Sequence, residues 1–410
     1  MKNAGYEEII KVTKYELINE LPDPFKFNDG TRVRTADDWQ RRREEIYKTA
    51  VELQFGTMPP KPEVMKVEPT YLGGKGRPNT YRITCGTREK TLSFSMHIFK
   101  AQTHKKTPYA VTGDLCFPYV FDKEYIDTFM RSGIGLVSFD RTSLATDIAQ
   151  YNVDALIKGS EEERLAKEIL DGLNTHNCGG PLKEIYPEYT FGAAGAWAWG
   201  YSRCVDALEI LGIADMDNIA FTGHSRGGKT AALAGVLDER AAIVNPNATC
   251  AGGCSSYRIS IEAETEDGEI KPSERISNIL KVFPAWMGEG MLEYSDNEGK
   301  LPFDSHEFKA LVAPRILFVS EAASDIWANP VGSYQTTEAA AEVYEFLGCG
   351  ENLYWHFRRG YHYQKIEDIE LLVNIIRHKA FGDALSDKFY KLPFKPIEKA
   401  YSWVRPKKEN

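Results

Sequence analysis

The stretch from Asn218 to Gly235 constrains the fold of this chain more than any other. The apolar run Ile219 to Phe221 predicts a short buried strand, and a Gly-rich turn follows it. Thr230 to Val236 then carries small and apolar residues at helical spacing. Inside the turn, Gly223-His224-Ser225-Arg226-Gly227 fits G-x-S-x-G, the nucleophile elbow. A serine on so strained a turn leaves no room for side chains beside it, hence the two glycines. The turn lifts the hydroxyl to the top of the sheet and points the Arg226 amide at a developing oxyanion. Gly223 with Gly228-Lys229-Thr230 also fits G-x-x-x-x-G-K-T, the phosphate-binding P-loop, which likewise joins a strand to a helix. A plain Gly-rich turn is the third possibility. The choice between acyl transfer and nucleotide binding falls to the rest of the chain.

The 410 residues suffice for one large domain or two ordinary ones, and 42% hydrophobic with 27% charged residues is a soluble globular composition. A net charge of -9 argues against nucleic acid as the main partner, because neutralising phosphates needs a basic surface. No apolar run approaches a membrane span, so no membrane partner is expected. The N-terminus has no apolar signal-peptide core, which read literally keeps the protein in the cytoplasm; a mature form with its leader removed would read the same. The seven cysteines are odd in number and include no C-x-x-C pair. Cys250 and Cys254 have neither a partner pair nor a histidine at ligand spacing downstream. Reduced thiols are expected and no metal is assigned.

Residues 1–60 read as an N-terminal extension, with a turn at Leu21 to Phe25 and a capped helix opening at Thr35 and running to Ala50. Prolines after Met58 end it, and residues 61–410 form the main domain. Alternating segments from Thr80 to Thr84 and Thr91 to Phe99 predict an antiparallel pair at one edge of a sheet. Apolar strands then alternate with helices. Strands are expected at Tyr109 to Thr112, Gly133 to Asp140, Ala242 to Asn245, Arg315 to Ser320 and Leu353 to Phe357. Helices are expected at Ala193 to Leu211, Ser333 to Leu347 and Glu367 to Lys379. Such alternation gives a mainly parallel sheet covered by helices on both faces, a three-layer sandwich. An antiparallel start followed by parallel strands is the order of an α/β-hydrolase fold.

A serine is a poor nucleophile at neutral pH. It needs a base in reach, and the base needs an acid that fixes its tautomer. In α/β-hydrolases the order is serine, acid, histidine. The Arg315 to Ser320 strand runs into Glu321 and Asp325, either of which could be the acid, with Asp325 favoured by position. Of the eight histidines, His362 alone lies on a Gly-containing loop after the last strand. His306 precedes the strand of the acid and reads as a structural hydrogen-bonder, His356 lies within a strand, and His224 sits in the elbow. The P-loop reading weakens, because a P-loop normally comes early in its domain and wants a metal-binding aspartate at the end of a strand.

At this point the chain resembles the glucuronoyl esterases, carbohydrate esterase family fifteen, over roughly residues 20–380. The marks are Gly223 to Lys229, similar to the family's G-x-S-R-x-G-K; Leu301 to Arg315; Asp325 to Pro330; and Gly360 to His362. Leu21 to Phe25, Ala196 to Gly200 and Phe283 to Trp286 also resemble family segments. The resemblance implies hydrolysis of esters between lignin alcohols and 4-O-methyl-glucuronic acid on xylan, with no cofactor and no nucleotide. It makes Ser225 the nucleophile and His362 the base. It gives Arg226 a share of the oxyanion hole, Lys229 the sugar hydroxyls and Trp327 the wall of the sugar site. Many members carry the acid in a segment like P-x-E-S-G-A-G-G. Here Ala248 stands at that place, in Pro246 to Gly253, which favours Asp325. A second family glutamate, which contacts the sugar, corresponds to Glu262 or Glu264.

The reading is thus an α/β-hydrolase and serine carboxylic-ester hydrolase acting on a carbohydrate ester. Its alternatives are an acetyl or other carbohydrate esterase on the same fold, and a carbohydrate-binding pseudoenzyme.

Overall fold

The computed structural model describes residues 5–74, 77–101, 106–114, 123–147 and 178–409. Among these, nine strands form one sheet in the order β12-β11-β8-β7-β5-β6-β4-β3-β2. In chain order they are β2 (Val64–Tyr71), β3 (Asn79–Gly86), β4 (Thr91–Phe99), β5 (Thr107–Thr112), β6 (Gly135–Phe139), β7 (Ala214–His224), β8 (Ala241–Asn247), β11 (Ile316–Ala322) and β12 (Leu353–Arg358). From β12 to β6 every pairing is parallel. From β6 to β2 every pairing is antiparallel. The predicted antiparallel edge therefore has a third strand, β2. Its exposed pattern, with Lys66, Glu68 and Pro69, suits an edge that must not recruit another chain.

Successive residues of the parallel strands face opposite layers. Val111, Phe221, Val244 and Leu317 join one apolar cluster with the helices Ala193–Leu211, Arg226–Leu237 and Pro330–Leu347. Ala110, Ala220, Ile243 and Phe318 join another with the helices Lys123–Arg131 and Ile366–Phe381. That alternation makes the three layers. The first cluster is large because the helix Ala193–Leu211 is apolar nearly all round, with Trp197 and Tyr201 fully buried.

β1 (Lys11–Leu17), β9 (Ile259–Glu264) and β10 (Ile270–Pro272) make a separate small sheet, paired antiparallel. No strand was predicted there, because β1 finds its ladder partner in a segment far along the chain. Residues 5–60 are bound to the rest by burial: Phe25, Val33 and Trp39 lie in the main cluster, and Arg42 pairs with the buried Glu307 at 2.9 Å. The helix predicted from Thr35 to Ala50 is present as Ala36–Tyr47, with Thr35 and Asp38 forming the capping box, and continues as one wide turn over Lys48–Leu53. His306 is buried and its Nε2 bonds the Pro22 carbonyl at 2.8 Å, the structural role read from the sequence. All described cysteines are free and buried; Cys116 lies outside the described residues. No helix among the described residues is long and apolar enough to cross a membrane.

Candidate active site

The elbow forms where β7 meets the helix Arg226–Leu237. Ser225 has φ 58° and ψ -122°, a conformation that strains any side-chain-bearing residue. Its neighbours show why the flanking positions are glycine. A Cβ on Gly223 would stand 2.3 Å from the Gly227 carbonyl oxygen, and one on Gly227 would stand 1.9 Å from Asp114 Oδ1. The Ser225 amide donates to the Asn247 carbonyl of β8 at 2.9 Å, which fixes the turn against the neighbouring strand. Arg226 opens the helix, so its amide belongs to the N-terminal group that has no intrahelical acceptor and carries the positive end of the dipole.

His362 lies on the loop after β12 and Asp325 on the turn after β11. His362 Nε2 stands 2.8 Å from Ser225 Oγ. His362 Nδ1 stands 2.6 Å from Asp325 Oδ2. The Asp325 side chain is 3% exposed and that of His362 39%, so the carboxylate is sheltered while the imidazole opens to solvent. The loop is held from both sides. Ala323 and Ser324 donate through their amides to the Arg358 and Gly360 carbonyls, and Arg358 pairs with the buried Asp368 at 2.7 Å. His224 lies beside His362 with ring centroids 4.8 Å apart and planes tilted by 42°, and its Nδ1 stands 2.6 Å from Asn247 Oδ1. Burial holds His224 down at about 4, so a neutral ring lies beside the His362 imidazole at neutral pH.

Glu321, the other candidate acid, lies elsewhere. β11 extends two residues past its predicted end, so Glu321 is inside the strand and fully buried, with Oε1 accepting from Ser333 at 3.0 Å. Burial, with the nearby Asp325 charge second, pushes its carboxyl up to about 8. It therefore carries a proton at neutral pH.

Lys229 is on the first turn of the elbow helix and is 4% exposed. It turns inward: Nζ donates to the Thr249 carbonyl and lies 4.0 Å from Glu274 Oε2. Glu274 in turn is tied to the Trp327 backbone, its amide donating to that carbonyl at 2.9 Å. Burial raises its pKa, against the pull of Lys229. Trp327 shares the Ile326–Ala328 turn with Asp325 and is 43% exposed. The structure thus joins an ammonium, a carboxylate and an open indole face beside the serine helix, a donor set that fits a sugar.

The glutamate beside Lys229 is Glu274, whereas Glu262 and Glu264 project from β9 toward solvent and pair with Lys14 and Lys11. The alternation Ile261-Glu262-Ala263-Glu264 already encoded that exposure: on a strand buried through Ile261 and Ala263, both glutamates face out. Glu274 carried no local signal, because a hairpin returns it to the site. Cys250 Sγ, an Asp325 oxygen and a His362 nitrogen lie within 4.8 Å of one another. Burial raises the Cys250 thiol well above its ordinary value, which makes it an inert neighbour rather than a ligand.

A family model described as glucuronyl esterase, fungi, matches residues 168–348. The 4-O-methyl-glucuronoyl methylesterase 1 of Wolfiporia cocos is 31% identical over 334 residues, which cover 80% of this chain and 72% of that protein. A carbohydrate esterase of an unknown prokaryotic organism is 26% identical over 93% of this chain and 94% of its own. The structure of a carbohydrate esterase family 15 glucuronoyl esterase from Caldicellulosiruptor kristjansonii superposes with a TM-score of 0.78 at 28% identity, covering 94% of this chain and 97% of that one.

Proposed function

The chain belongs to the glucuronoyl esterases of carbohydrate esterase family 15, and on that premise we propose that it hydrolyses esters of 4-O-methyl-glucuronic acid, of the kind carried by xylan, through an acyl-enzyme on Ser225. The observation that carries this reading is the file of contacts from Ser225 Oγ through His362 to Asp325, at 2.8 and 2.6 Å. With its Nδ1–H donating to the Asp325 carboxylate, the imidazole presents the Nε2 lone pair to the serine hydroxyl. As Oγ attacks the ester carbonyl, the proton passes to Nε2, and Asp325 stabilises the imidazolium without taking a proton. His362 then returns the proton to the leaving alcohol. A water takes the alcohol's place, is activated by the same nitrogen, and frees the uronic acid.

The negative charge on the carbonyl oxygen falls next to the residue after the nucleophile. Arg226 offers its amide from the helix start and its guanidinium from the side chain, and a charge-assisted bond to an oxyanion exceeds a neutral one. Lys229 and Glu274 present a donor and an acceptor to sugar hydroxyls, and Trp327 an apolar face to the ring carbons. Their opposite charges suit a substrate whose carboxyl is esterified and so uncharged. Residues 5–60 read best as part of this catalytic domain, since Trp39 and Arg42 are buried against it.

The experiment is a comparison of two esters, benzyl glucuronate and p-nitrophenyl acetate. Higher kcat/KM on the uronate supports the proposal. Turnover of the acetate alone would favour an acetyl esterase, and turnover of neither would make the site a binding pocket.

A further inference from the structure

Both neighbours of Ser225 are tied into one chain of alternating charges. Asp114 follows β5 and is 2% exposed. Its Oδ2 accepts the His224 amide at 2.8 Å, and its Oδ1 accepts Arg141 Nη1 at 2.7 Å. Arg141 is wholly buried and lies 5.0 Å over the Trp197 ring. Its Nη2 donates to Asp147 Oδ2 at 3.2 Å. Asp147, whose side chain is 10% exposed, then receives Arg226 Nη1 on both oxygens, at 3.0 and 3.1 Å. It also accepts the Trp286 indole N–H on Oδ1 at 3.1 Å. The Arg226 guanidinium lies 4.8 Å from the Phe283 ring centroid and 4.6 Å from that of Trp286.

Two carboxylates alternate with two guanidinium groups, so the buried chain is neutral overall and its members compensate one another. Its far end only braces the elbow, through the His224 amide. Its near end does something else. An arginine on a helix surface is a long arm with many rotamers, and an oxyanion donor helps only if it waits in place before the charge forms. Asp147 fixes one end of the guanidinium, and the stacked rings of Phe283 and Trp286 form a wall beside it. Trp286 orients Asp147 in turn.

We propose that Asp147 is a positioning residue for this reaction: it touches no substrate, and holds the Arg226 side chain where the oxyanion develops. This rests on the oxyanion role of Arg226 given above. A positioning role and a merely structural one differ in a double-mutant cycle. Asp147→Asn keeps the shape and removes the charge. On benzyl glucuronate it lowers kcat about 10- to 100-fold and leaves KM within about twofold, since the contact matters only in the transition state. In an Arg226→Ala background the same substitution changes kcat by less than about twofold. Trp286→Phe keeps the ring wall, loses the indole N–H, and shows a smaller kcat loss that also vanishes in Arg226→Ala; it carries the test if Asp147→Asn does not fold. Additive losses in the cycle, or a loss carried by KM, overturn the proposal. An Arg226→Ala variant with unchanged kcat overturns the oxyanion role itself, and that result needs no substitution at Asp147.

Discussion

His362 Nδ1 lies 2.6 Å from Asp325 Oδ2, and this bond joins the loop after the last strand to the turn after the strand beside it. β11 and β12 are parallel neighbours, so their carboxyl ends open side by side, where α/β sheets gather chemistry. Asp325 reaches the imidazole because the chain after Ala322 turns at once into Ile326–Ala328. Ala248, fully buried at the end of β8, has no group with which to orient an imidazole.

Asp325→Asn is expected to keep the fold and lower kcat on the order of 10⁴-fold, by stabilising the wrong imidazole tautomer. Glu321→Gln is expected to leave kcat within about tenfold, because Glu321 bonds Ser333 and is protonated at neutral pH. Steady-state kinetics on benzyl glucuronate checks both; a silent Asp325→Asn beside a crippled Glu321→Gln would exchange the two assignments.

The substrate groups separate by the parameter they move. Arg226→Ala is expected to lower kcat about 10²- to 10³-fold, the loss typical of one oxyanion donor. Lys229→Ala and Glu274→Gln are expected mainly to raise KM for the uronate ester and to spare p-nitrophenyl acetate, which has no sugar hydroxyls to bind. Glu262→Gln and Glu264→Gln are expected to change neither, since both face solvent beside lysines. Equal damage to both substrates by Lys229→Ala would remove it from the sugar site.

Glu321 also sets a pH dependence. Its carboxyl is raised from 4.5 to about 8 in the native state, so between those values the folded chain holds a proton that the unfolded chain has released. The resulting stabilisation is complete below about pH 4.5 and is lost as pH rises through about 8. Glu321→Gln removes this titration. Relative to the parent, the variant gains stability from pH 5 to pH 8, by up to about 4 kcal/mol for three units of linkage. Urea midpoints at the two pH values measure it; an unchanged difference would mean that Glu321 titrates normally.

The elbow, the strand and helix alternation and the loop of His362 were legible because each is encoded locally: glycines where side chains collide, apolar periodicity, and chain order. The Ala193–Leu211 helix and the strands β8, β11 and β12 lie where the pattern places them, with ends shifted by a few residues. The small sheet was not legible, since β1 and β9 pair across most of the chain. Asp114, Arg141, Asp147 and Glu274 were missed for the same reason. Each is an ordinary charged residue in its own segment and acquires a role only from neighbours that the topology supplies. Glu262 and Glu264 show the converse, a plausible motif position overruled by the two-residue period of a strand.

The central claim is acyl transfer through Ser225 to a uronate ester, and the most direct measurement is kcat/KM on benzyl glucuronate for the parent chain and for Ser225→Ala. The account predicts ready turnover by the parent, and a loss of several orders of magnitude in the variant with the substitution leaving sugar binding intact. A Ser225→Ala variant that keeps a tenth or more of the parent activity would contradict it.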